Sequence, residues 1–593
     1  MKIDAQKSEE LPPPGAAGWG SDAIAHFLRN TGIPFIALNP GASFRGLHDS
    51  LVNNLDAKGP GMLMCLHEEH AVALAHGYAK VTGLPLAVAL HSNVGLMHAS
   101  MAIFNAYCDR VPMLIIGANG PLDAAKRRPW IDWIHTSADQ PAIVRNYIKW
   151  DDTPTSVNAS LESLARAWDV ARSAPQGPTY VVLDAEVQET PLSEEPLQPK
   201  ITVGLAKDQP AASAESVSRA ATLLSSAQDP VLLIGRGSKS LEDFQRRILL
   251  AEELNARVIT DLKAGSNFPT KHPAHVPGPG FFLGERGREA LRSADVVLAL
   301  DWIDVAGTLG QAPTGESQKV ISAGLDQMII NGWSKDHQAR AEVDVWLPTT
   351  GDYAVSQLLD ALKVDAGSAG SLKSYSNDQD VQYGGSIPKA GPIQLGQLAH
   401  ALRSSLAKEK TTLVRLPLGW NGDDWPFWDP LDFLGYDGGG GIGSGPGMTI
   451  GAALALKGSD RIAVSVLGDG DYMMGVQALW TAAHDDIPFL AVVANNRSYF
   501  NDEVHQEKVA RARNRDVSRK GIGQRIDEPA PDLAAMARAQ GLEGLGPVSD
   551  LADLPDAFDE ALRKVKSGRG VVVDVVVSPG YNSDMKAGLV REP

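Results

Sequence analysis

The sequence is poor in cysteine, carries an acidic excess and lacks long apolar runs. Its 593 residues include 2 cysteines, Cys65 and Cys108, which offer neither a disulfide framework nor the spacing of a metal site. The formal net charge of −17 argues against nucleic acid as a general partner, because acidic surfaces repel phosphate backbones. No stretch reaches the apolar length of a membrane span, and the first residues lack the apolar core of a signal peptide. We therefore expect a cytoplasmic protein with no membrane partner.

Short apolar strands alternate with helical segments along most of the chain. This alternation is typical of α/β domains with doubly wound parallel sheets. We predict three such domains, at residues 20–190, 206–365 and 392–593. A Pro/Gly-rich arm at residues 1–19 precedes them, and a Gly/Ser/Asp-rich linker at residues 366–391 separates the last two.

The first chemical pattern follows a strand predicted at residues 462–467. The strand runs into Gly468-Asp469-Gly470. The two glycines allow a sharp turn and a close approach to a ligand, and Asp469 offers a hard oxygen ligand between them. Such a turn by itself also occurs without a metal, so its partner motif decides the interpretation.

The partner motif lies at the end of the next predicted strand. A helix predicted at residues 472–484 leads to a strand at residues 489–494, which ends at Asn495-Asn496. The carboxyl ends of neighbouring parallel strands meet at one edge of a sheet, so Asp469 and the carboxamides are expected together. Carboxylate and carboxamide oxygens are ligands for Mg²⁺, which proteins usually hold together with substrate phosphates.

The two motifs together resemble the signature of thiamine-diphosphate enzymes, in which GDG is followed by about two dozen residues and NN. Here the 24 residues 471–494 separate them. The resemblance implies thiamine diphosphate and Mg²⁺ as cofactors. It assigns the metal to Asp469, Asn496 and the backbone carbonyl of Ser498. The other cofactor-binding residues that it assigns to this segment are Gly468, Gly470 and Asp471.

A second resemblance to the same family starts at the residues His67-Glu68. The string at residues 67–79 is similar to the pattern HExxAxxxAxGYA, with Glu68 nine positions before Gly77. The resemblance implies that Glu68 hydrogen-bonds N1′ of the aminopyrimidine, so that the cofactor can act as its own base. The alternative is an acidic residue that merely stabilises the start of a helix. The neighbouring Glu69 is assigned a surface or packing role.

A glycine-dense segment at residues 438–447 precedes the first pattern. Such density indicates that backbone meets ligand, although a flexible linker is the plainer alternative. The segment resembles the family's GG-(hydrophobic)-G element. By that resemblance Ile442 is the wedge under the cofactor, and the carbonyl of Gly440 accepts from its 4′-amino group.

Several segments resemble benzoylformate decarboxylase in particular. They are residues 39–41, 90–92, 268–273 and 478–483. The resemblance implies active-site roles for His91 and His272, for which packing or capping is the alternative. It departs after residue 41, where Ala42 stands in place of a substrate-binding serine and Ser43 follows.

Two patterns leave alternatives open. Gly235-Arg236-Gly237 follows a predicted strand and is typical of a tight turn, with nucleotide binding as the other interpretation. The basic run at residues 508–520 is either a self-paired solvated face or a lid for an anionic substrate such as an acyl-CoA. The tail to residue 593 is a second candidate for a lid.

The resemblance implies a lyase that breaks carbon–carbon bonds. The leading prediction is non-oxidative decarboxylation of a small-molecule 2-oxo acid through a C2 carbanion and an enamine, with His91 as proton shuttle. The alternatives are a 2-hydroxyacyl-CoA lyase, an acetolactate-synthase-like carboligase and a non-catalytic cofactor-binding subunit. Because the family divides the two ends of the cofactor between subunits, we expect a homodimer or homotetramer.

Overall fold

A computed structural model describes most of the chain. The described residues are 16–55, 58–201, 209–313, 317–328, 341–364 and 391–581. Most of the predicted arm and linker, and the tail from residue 582 onward, lie outside them. The chain forms two compact units. The first unit comprises residues 1–208, 437–460 and 477–487, and the second comprises residues 209–436, 461–476 and 488–593.

Helices and strands alternate along most of the described residues. The strands are β1 (Phe35–Leu38), β2 (Gly61–Met64), β3 (Ala87–Leu90), β4 (Met113–Asn119), β5 (Trp150–Asp152), β6 (Pro178–Asp184), β7 (Pro230–Ile234), β8 (Arg257–Ile259), β9 (Val296–Leu300), β10 (Lys319–Ala323), β11 (Val345–Leu347), β12 (Lys410–Arg415), β13 (Arg461–Gly468), β14 (Leu490–Asn495), β15 (Glu543–Val548) and β16 (Val571–Val576). The α-helices are α1 (Gly20–Asn30), α2 (Arg45–Asp49), α3 (Glu68–Thr82), α4 (Ser92–Cys108), α5 (Ile131–Ile134), α6 (Val157–Arg172), α7 (Ala185–Glu189), α8 (Ala214–Ser226), α9 (Leu241–Glu253), α10 (Glu285–Ser293), α11 (Val305–Gly310), α12 (Gly351–Ala361), α13 (Leu395–Ser405), α14 (Gly445–Leu456), α15 (Asp469–Gly475), α16 (Ala478–His484), α17 (Phe500–Ala512), α18 (Leu533–Ala539) and α19 (Leu554–Lys566).

The first unit contains a six-stranded parallel sheet in the order β2-β1-β3-β4-β6-β5. The strand order reverses between β1 and β3, and crevices of α/β sheets that bind ligands lie at such a reversal. Local sequence defines the helices around it. The α3 helix ends at Gly83, whose φ of 69° is a left-handed cap. Ser156 caps the start of α6 by accepting a hydrogen bond from the Ala159 N–H.

The second unit contains two five-stranded parallel sheets. Their orders are β11-β10-β9-β7-β8 and β12-β13-β14-β16-β15. The inner strands are mostly apolar and buried, as in Val571–Val576 with its single Asp574, because inner parallel strands are covered on both faces. The prediction of three parallel-sheet domains of the α/β class is therefore confirmed.

The helix predicted at residues 472–484 differs from the observed one. The structure starts α15 earlier, at Asp469, ends it at Gly475, and begins a separate helix, α16, at Ala478. Gly475 is a weak helix former, which is consistent with an end at this point. Among the described residues, no helix is both long and apolar enough to cross a membrane.

Candidate functional site

Glu68 is the first residue of α3 and lies in the first unit. His67 caps the helix, because its ring Nδ1 accepts a hydrogen bond from the Glu69 N–H at 3.1 Å. Glu68 is only 6% exposed, and its Oε2 lies 3.0 Å from Nδ1 of His98 on α4. Gly95 makes room for the carboxylate, since a Cβ at that position would lie 3.2 Å from Glu68 Oε1. Sequence reasoning missed His98, which carries no pattern of its own.

Gly77 serves packing rather than chemistry. A Cβ on Gly77 would lie 2.0 Å from the backbone oxygen of Met448 on α14. In return, a Cβ on Gly451 would lie 1.9 Å from the backbone oxygen of Leu74. The two helices therefore cross at glycines, and the nine-residue spacing from Glu68 to Gly77 fixes where α3 begins relative to that crossing.

The glycine loop before α14 lies against α4 in the first unit. Gly440 has a φ of +74°, and its N–H donates to Asp437 Oδ1 at 2.9 Å. The Asn105 side chain donates to the Gly441 carbonyl at 3.2 Å and accepts from the Gly441 N–H at 3.3 Å. Ile442 is half-buried beside them. The roles predicted for Gly440 and Ile442 stay predictions, and Asn105 is a supporting residue that sequence reasoning missed.

His91 lies where the strand order of the first sheet reverses. Its Nδ1 shares a hydrogen bond with the Ser43 hydroxyl at 2.8 Å, because Ser43 follows β1 and His91 follows β3. Gly41 allows this approach, since a Cβ there would lie 2.3 Å from the His91 Cβ. The ring of His135 meets the His91 ring edge-on at 4.7 Å. Burial lowers the pKa of His91, and the neighbouring His135 adds to the effect.

Two of these contacts change the interpretation of the sequence. Ala42 has no hydroxyl, but the hydroxyl of Ser43, one position later, reaches His91. His135 comes from the loop around α5, and Asn93 anchors that loop by donating to the Ile134 carbonyl at 3.1 Å. No sequence pattern links His135 to His91, so only the folded chain identifies it.

His272 lies in the second unit, between β8 and α10. Its Nδ1 accepts from the Ala274 N–H at 3.1 Å, and its Nε2 lies 3.3 Å from Glu252 Oε1. Its ring packs edge-on against Phe268 at 5.2 Å. These contacts account for His272 as a packing residue, and its catalytic role stays a prediction.

Asp469 lies at the carboxyl end of β13 in the second unit and is 4% exposed. Its Oδ1 accepts from the Gly470 N–H at 2.9 Å and its Oδ2 from the Ser498 N–H at 3.1 Å. The Asn496 Oδ1 accepts from the same Ser498 N–H at 3.0 Å. The carboxylate and carboxamide therefore converge, as the spacing predicted. Burial raises the pKa of Asp469, and a divalent cation would compensate that burial. The residues thus fit a Mg²⁺ ion.

The two glycines beside Asp469 differ in their surroundings. A Cβ on Gly468 would meet no atom within 4 Å, whereas one on Gly470 would lie 2.5 Å from the Tyr499 ring. Gly470 is therefore required for packing, while the space at Gly468 stays open. Open space beside a buried carboxylate suits a close approach of the cofactor to the backbone.

Further polar pairs hold this part of the sheet. The Asn495 Nδ2 donates to Asp574 Oδ1 at 3.0 Å, and burial raises the pKa of Asp574 to about 6. Asp471 forms a buried ion pair with Arg415 at 3.2 Å. The structure thus gives Asp471 a structural partner, and its predicted contact with the cofactor stays a prediction. Asp574 lies inside β16 and was missed because it follows no motif.

The basic run at residues 508–520 starts within α17. Glu507 accepts hydrogen bonds from Arg511 at 2.6 Å and from Lys520 at 2.5 Å. One turn earlier, Glu503 accepts from the Ser498 hydroxyl at 2.6 Å. This arrangement is the self-paired face that was one of the two interpretations, and a substrate lid stays a prediction.

The Gly235 turn follows β7, a strand of the sheet with the order β11-β10-β9-β7-β8. The Gly235 N–H donates to the Leu300 carbonyl at 2.9 Å, and a Cβ on Gly235 would lie 2.1 Å from the Asp301 oxygen. Arg236 pairs with Asp326 at 2.9 Å. The geometry agrees with a tight βα turn closed against the neighbouring strand.

Three family matches cover the chain in order. Residues 18–143 match the N-terminal TPP binding domain of thiamine pyrophosphate enzymes, residues 217–339 their central domain, and residues 420–575 their C-terminal TPP binding domain. The first and last matches contain Glu68 and Asp469, respectively.

Similar proteins and structures extend these matches over most of the chain. The large subunit of acetolactate synthase isozyme 1 of Escherichia coli is 25% identical over 82% of this chain and 83% of its own. The acetolactate synthase large subunit of Corynebacterium glutamicum is 25% identical over 94% of this chain and 86% of its own.

Two solved structures share the fold. Benzoylformate decarboxylase from Polynucleobacter necessarius has a TM-score of 0.76 at 20% identity, covering 95% of this chain and 100% of its own. The thiamine diphosphate-dependent 4-hydroxybenzoylformate decarboxylase of Rhodococcus jostii has a TM-score of 0.71 at 20% identity, covering 95% and 99%. With the domain matches and the two carboxylates in place, the chain belongs to the thiamine pyrophosphate enzymes, in the family of decarboxylases and acetolactate synthases.

Proposed function

We propose that the protein catalyses the non-oxidative decarboxylation of a 2-oxo acid with thiamine diphosphate and Mg²⁺. The observation that carries the proposal is the pairing of Ser43 with His91 at 2.8 Å, with His135 beside it. Decarboxylation replaces a carboxylate with a proton, so the site needs a group that gives up a proton near neutral pH. Imidazole is the side chain suited to that task.

The cofactor residues divide into two groups. In the second unit, Asp469, Asn496 and the Ser498 carbonyl would hold Mg²⁺ on the diphosphate. In the first unit, Glu68 would hydrogen-bond the aminopyrimidine, and the loop containing Gly440 would contact it. The bound cofactor supplies an electron sink for the pair released when the carbon–carbon bond breaks.

The Ser43 contact orients the His91 ring. Because the hydroxyl engages Nδ1, the nitrogen that can face a substrate is Nε2. Burial lowers the pKa of His91, so the protonated ring releases its proton readily at neutral pH. The ring would give that proton to the carbon that has lost CO₂, and would regain one from solvent.

A second candidate function is carboligation of the acetolactate-synthase type. The alignments with acetolactate synthases over 82% and 94% of this chain favour it. The same Glu68 and Asp469 would serve both reactions. The difference lies in the last step, which forms a carbon–carbon bond rather than a carbon–hydrogen bond. The acyl-CoA alternative ranks lower, because Arg511 and Lys520 of the basic run pair with Glu507.

A product assay separates these reactions. The protein, with thiamine diphosphate and Mg²⁺, is incubated separately with benzoylformate, pyruvate and a 2-hydroxyacyl-CoA. Carbon dioxide and an aldehyde in equal amounts are the expected products. Acetolactate from pyruvate would establish carboligation instead. Formyl-CoA and a carbonyl product, formed only from the 2-hydroxyacyl-CoA, would establish the CoA lyase. His91→Ala should lower aldehyde release, with His48→Gln as the control, since His48 is exposed on α2.

A further inference from the structure

The surroundings of Glu68 contain an ordered pair of imidazoles. The His67 ring is fixed by its cap on α3, where Nδ1 accepts the Glu69 N–H at 3.1 Å. The His98 ring stacks on it, with centroids 4.9 Å apart and planes inclined by 21°. The stacked His98 ring in turn presents Nδ1 to Glu68 Oε2 at 3.0 Å. An ionised carboxylate only accepts hydrogen bonds, so His98 Nδ1 carries the proton in this contact.

The same three side chains have the composition of a metal site. Ligand atoms of His67, Glu68 and His98 lie within 4.8 Å of one another. Two stacked rings, however, direct their lone pairs along nearly parallel planes, so those lone pairs do not converge on one ion. Glu68 Oε2 is also already engaged by a ring nitrogen. The geometry is that of a hydrogen-bonded carboxylate supported by stacking.

We propose that His98 is a positioning residue that fixes the Glu68 carboxylate through Oε2 and leaves Oε1 for the cofactor. The last side-chain torsion angle of a glutamate has a broad distribution, so a hydrogen bond to one carboxylate oxygen gives the carboxylate a definite orientation. A hydrogen bond to an ionised group is also among the stronger ones in a protein. Gly95 lies beside Oε1 and keeps that side clear of a side chain.

The exposure of Glu68 and His98 agrees with a role of His98 in orienting Glu68. Glu68 is nearly buried, whereas the His98 side chain is 58% exposed. A substitution of His98 therefore removes the hydrogen bond without emptying the core. The inference rests on the proposed function only through the role given to Glu68.

The test measures exchange of the thiazolium C2 proton for deuterium in bound thiamine diphosphate, by acid quench and proton NMR. This reaction needs no substrate, so it is independent of which oxo acid is used. The variants are His98→Ala, His98→Asn and His98→Gln, and Met97→Ala is the control on an exposed neighbour in the same helix. Asn places an N–H donor where Nδ1 stands, whereas Gln places one at the Nε2 position.

We expect His98→Ala to slow exchange about 10- to 100-fold, the value of one hydrogen bond to a charged group. His98→Asn should restore the rate to within about threefold of wild type, while His98→Gln should stay slow. An exchange rate in His98→Ala equal to that of the wild type would overturn the inference. Equal recovery of the rate in His98→Asn and His98→Gln would overturn it as well. Glu68→Gln in the same assay distinguishes a failure of the role proposed for Glu68 from a failure of the role proposed for His98. If it also exchanges at the wild-type rate, the role of Glu68 in the proposed function fails. If His98→Ala exchanges at the wild-type rate and Glu68→Gln does not, the role of His98 fails and the role of Glu68 stands.

Discussion

Glu68 and Asp469, the two carboxylates to which the proposed function assigns roles, are held in different ways. Glu68 in the first unit is oriented by an imidazole, His98, from another helix. Asp469 in the second unit is oriented by backbone N–H groups of Gly470 and Ser498. Backbone donors are present whatever the side chains are, whereas an imidazole donor requires a histidine at that position. The orientation of the proposed metal ligand is therefore fixed by the fold, whereas that of the proposed proton-transfer carboxylate depends on a particular side chain.

The strongest test of that comparison removes Asp469, the proposed metal ligand. Asp469→Ala should weaken Mg²⁺-dependent binding of thiamine diphosphate by about 100-fold or more, because a ligand is lost and backbone donors cannot replace it. Binding is measured by calorimetry at fixed Mg²⁺. Asp486→Asn is the control, since Asp486 is exposed and adopts a φ of 49° that asparagine tolerates. Unchanged affinity in Asp469→Ala would exclude Asp469 from the metal site.

The second test removes a charge at the other carboxylate and leaves its shape. Glu68→Gln should lower kcat by about 10²- to 10⁴-fold, the range for loss of a group in proton transfer. Affinity for thiamine diphosphate should stay within about threefold, because the metal end is intact. Steady-state kinetics and calorimetry on the same sample check both parts. A variant with normal turnover would remove Glu68 from the chemistry.

A third test concerns the glycine that places Glu68. Gly77→Ala should lower the free energy of unfolding by about 1–3 kcal/mol, because a methyl group would contact the Met448 backbone oxygen, which cannot rotate away. The opposing gain in helix propensity is about 1 kcal/mol at most. Denaturant unfolding measures the difference. Gly310→Ala is the matched control, since a Cβ there meets no atom within 4 Å. Equal stability of the two variants would mean that the α3–α14 crossing tolerates a side chain.

The difference between backbone donors at Asp469 and a side-chain donor at Glu68 also explains how much of the site could be predicted from the sequence. The convergence of Asp469 and Asn496 was predictable because each follows a readable strand, and parallel strands bring such ends together. Around the other carboxylate, only Glu68 itself was predictable. Its partner His98 lies 30 residues away and is chosen by helix packing, which leaves no periodic or compositional signal. Asn105 is separated from Gly441 by 336 residues, so the contact exists only in the folded chain.

The gentlest test changes a neighbour of the proton-transfer residue. His135→Gln should move the pH dependence of kcat/KM, because His135 is the second cause, after burial, that lowers the pKa of His91. Without that neighbour, His91 keeps its proton to higher pH, so the limb at which activity falls with rising pH should shift upward. The magnesium-dependent affinity for thiamine diphosphate should keep its pH profile, because the donors at Asp469 are backbone groups. The control is His48→Gln, at an exposed histidine outside this cluster. A shift in the binding profile together with the kinetic one would mean that the substitution acts on cofactor binding and not through His91. A limb that stays in place would mean that His91 does not supply the proton.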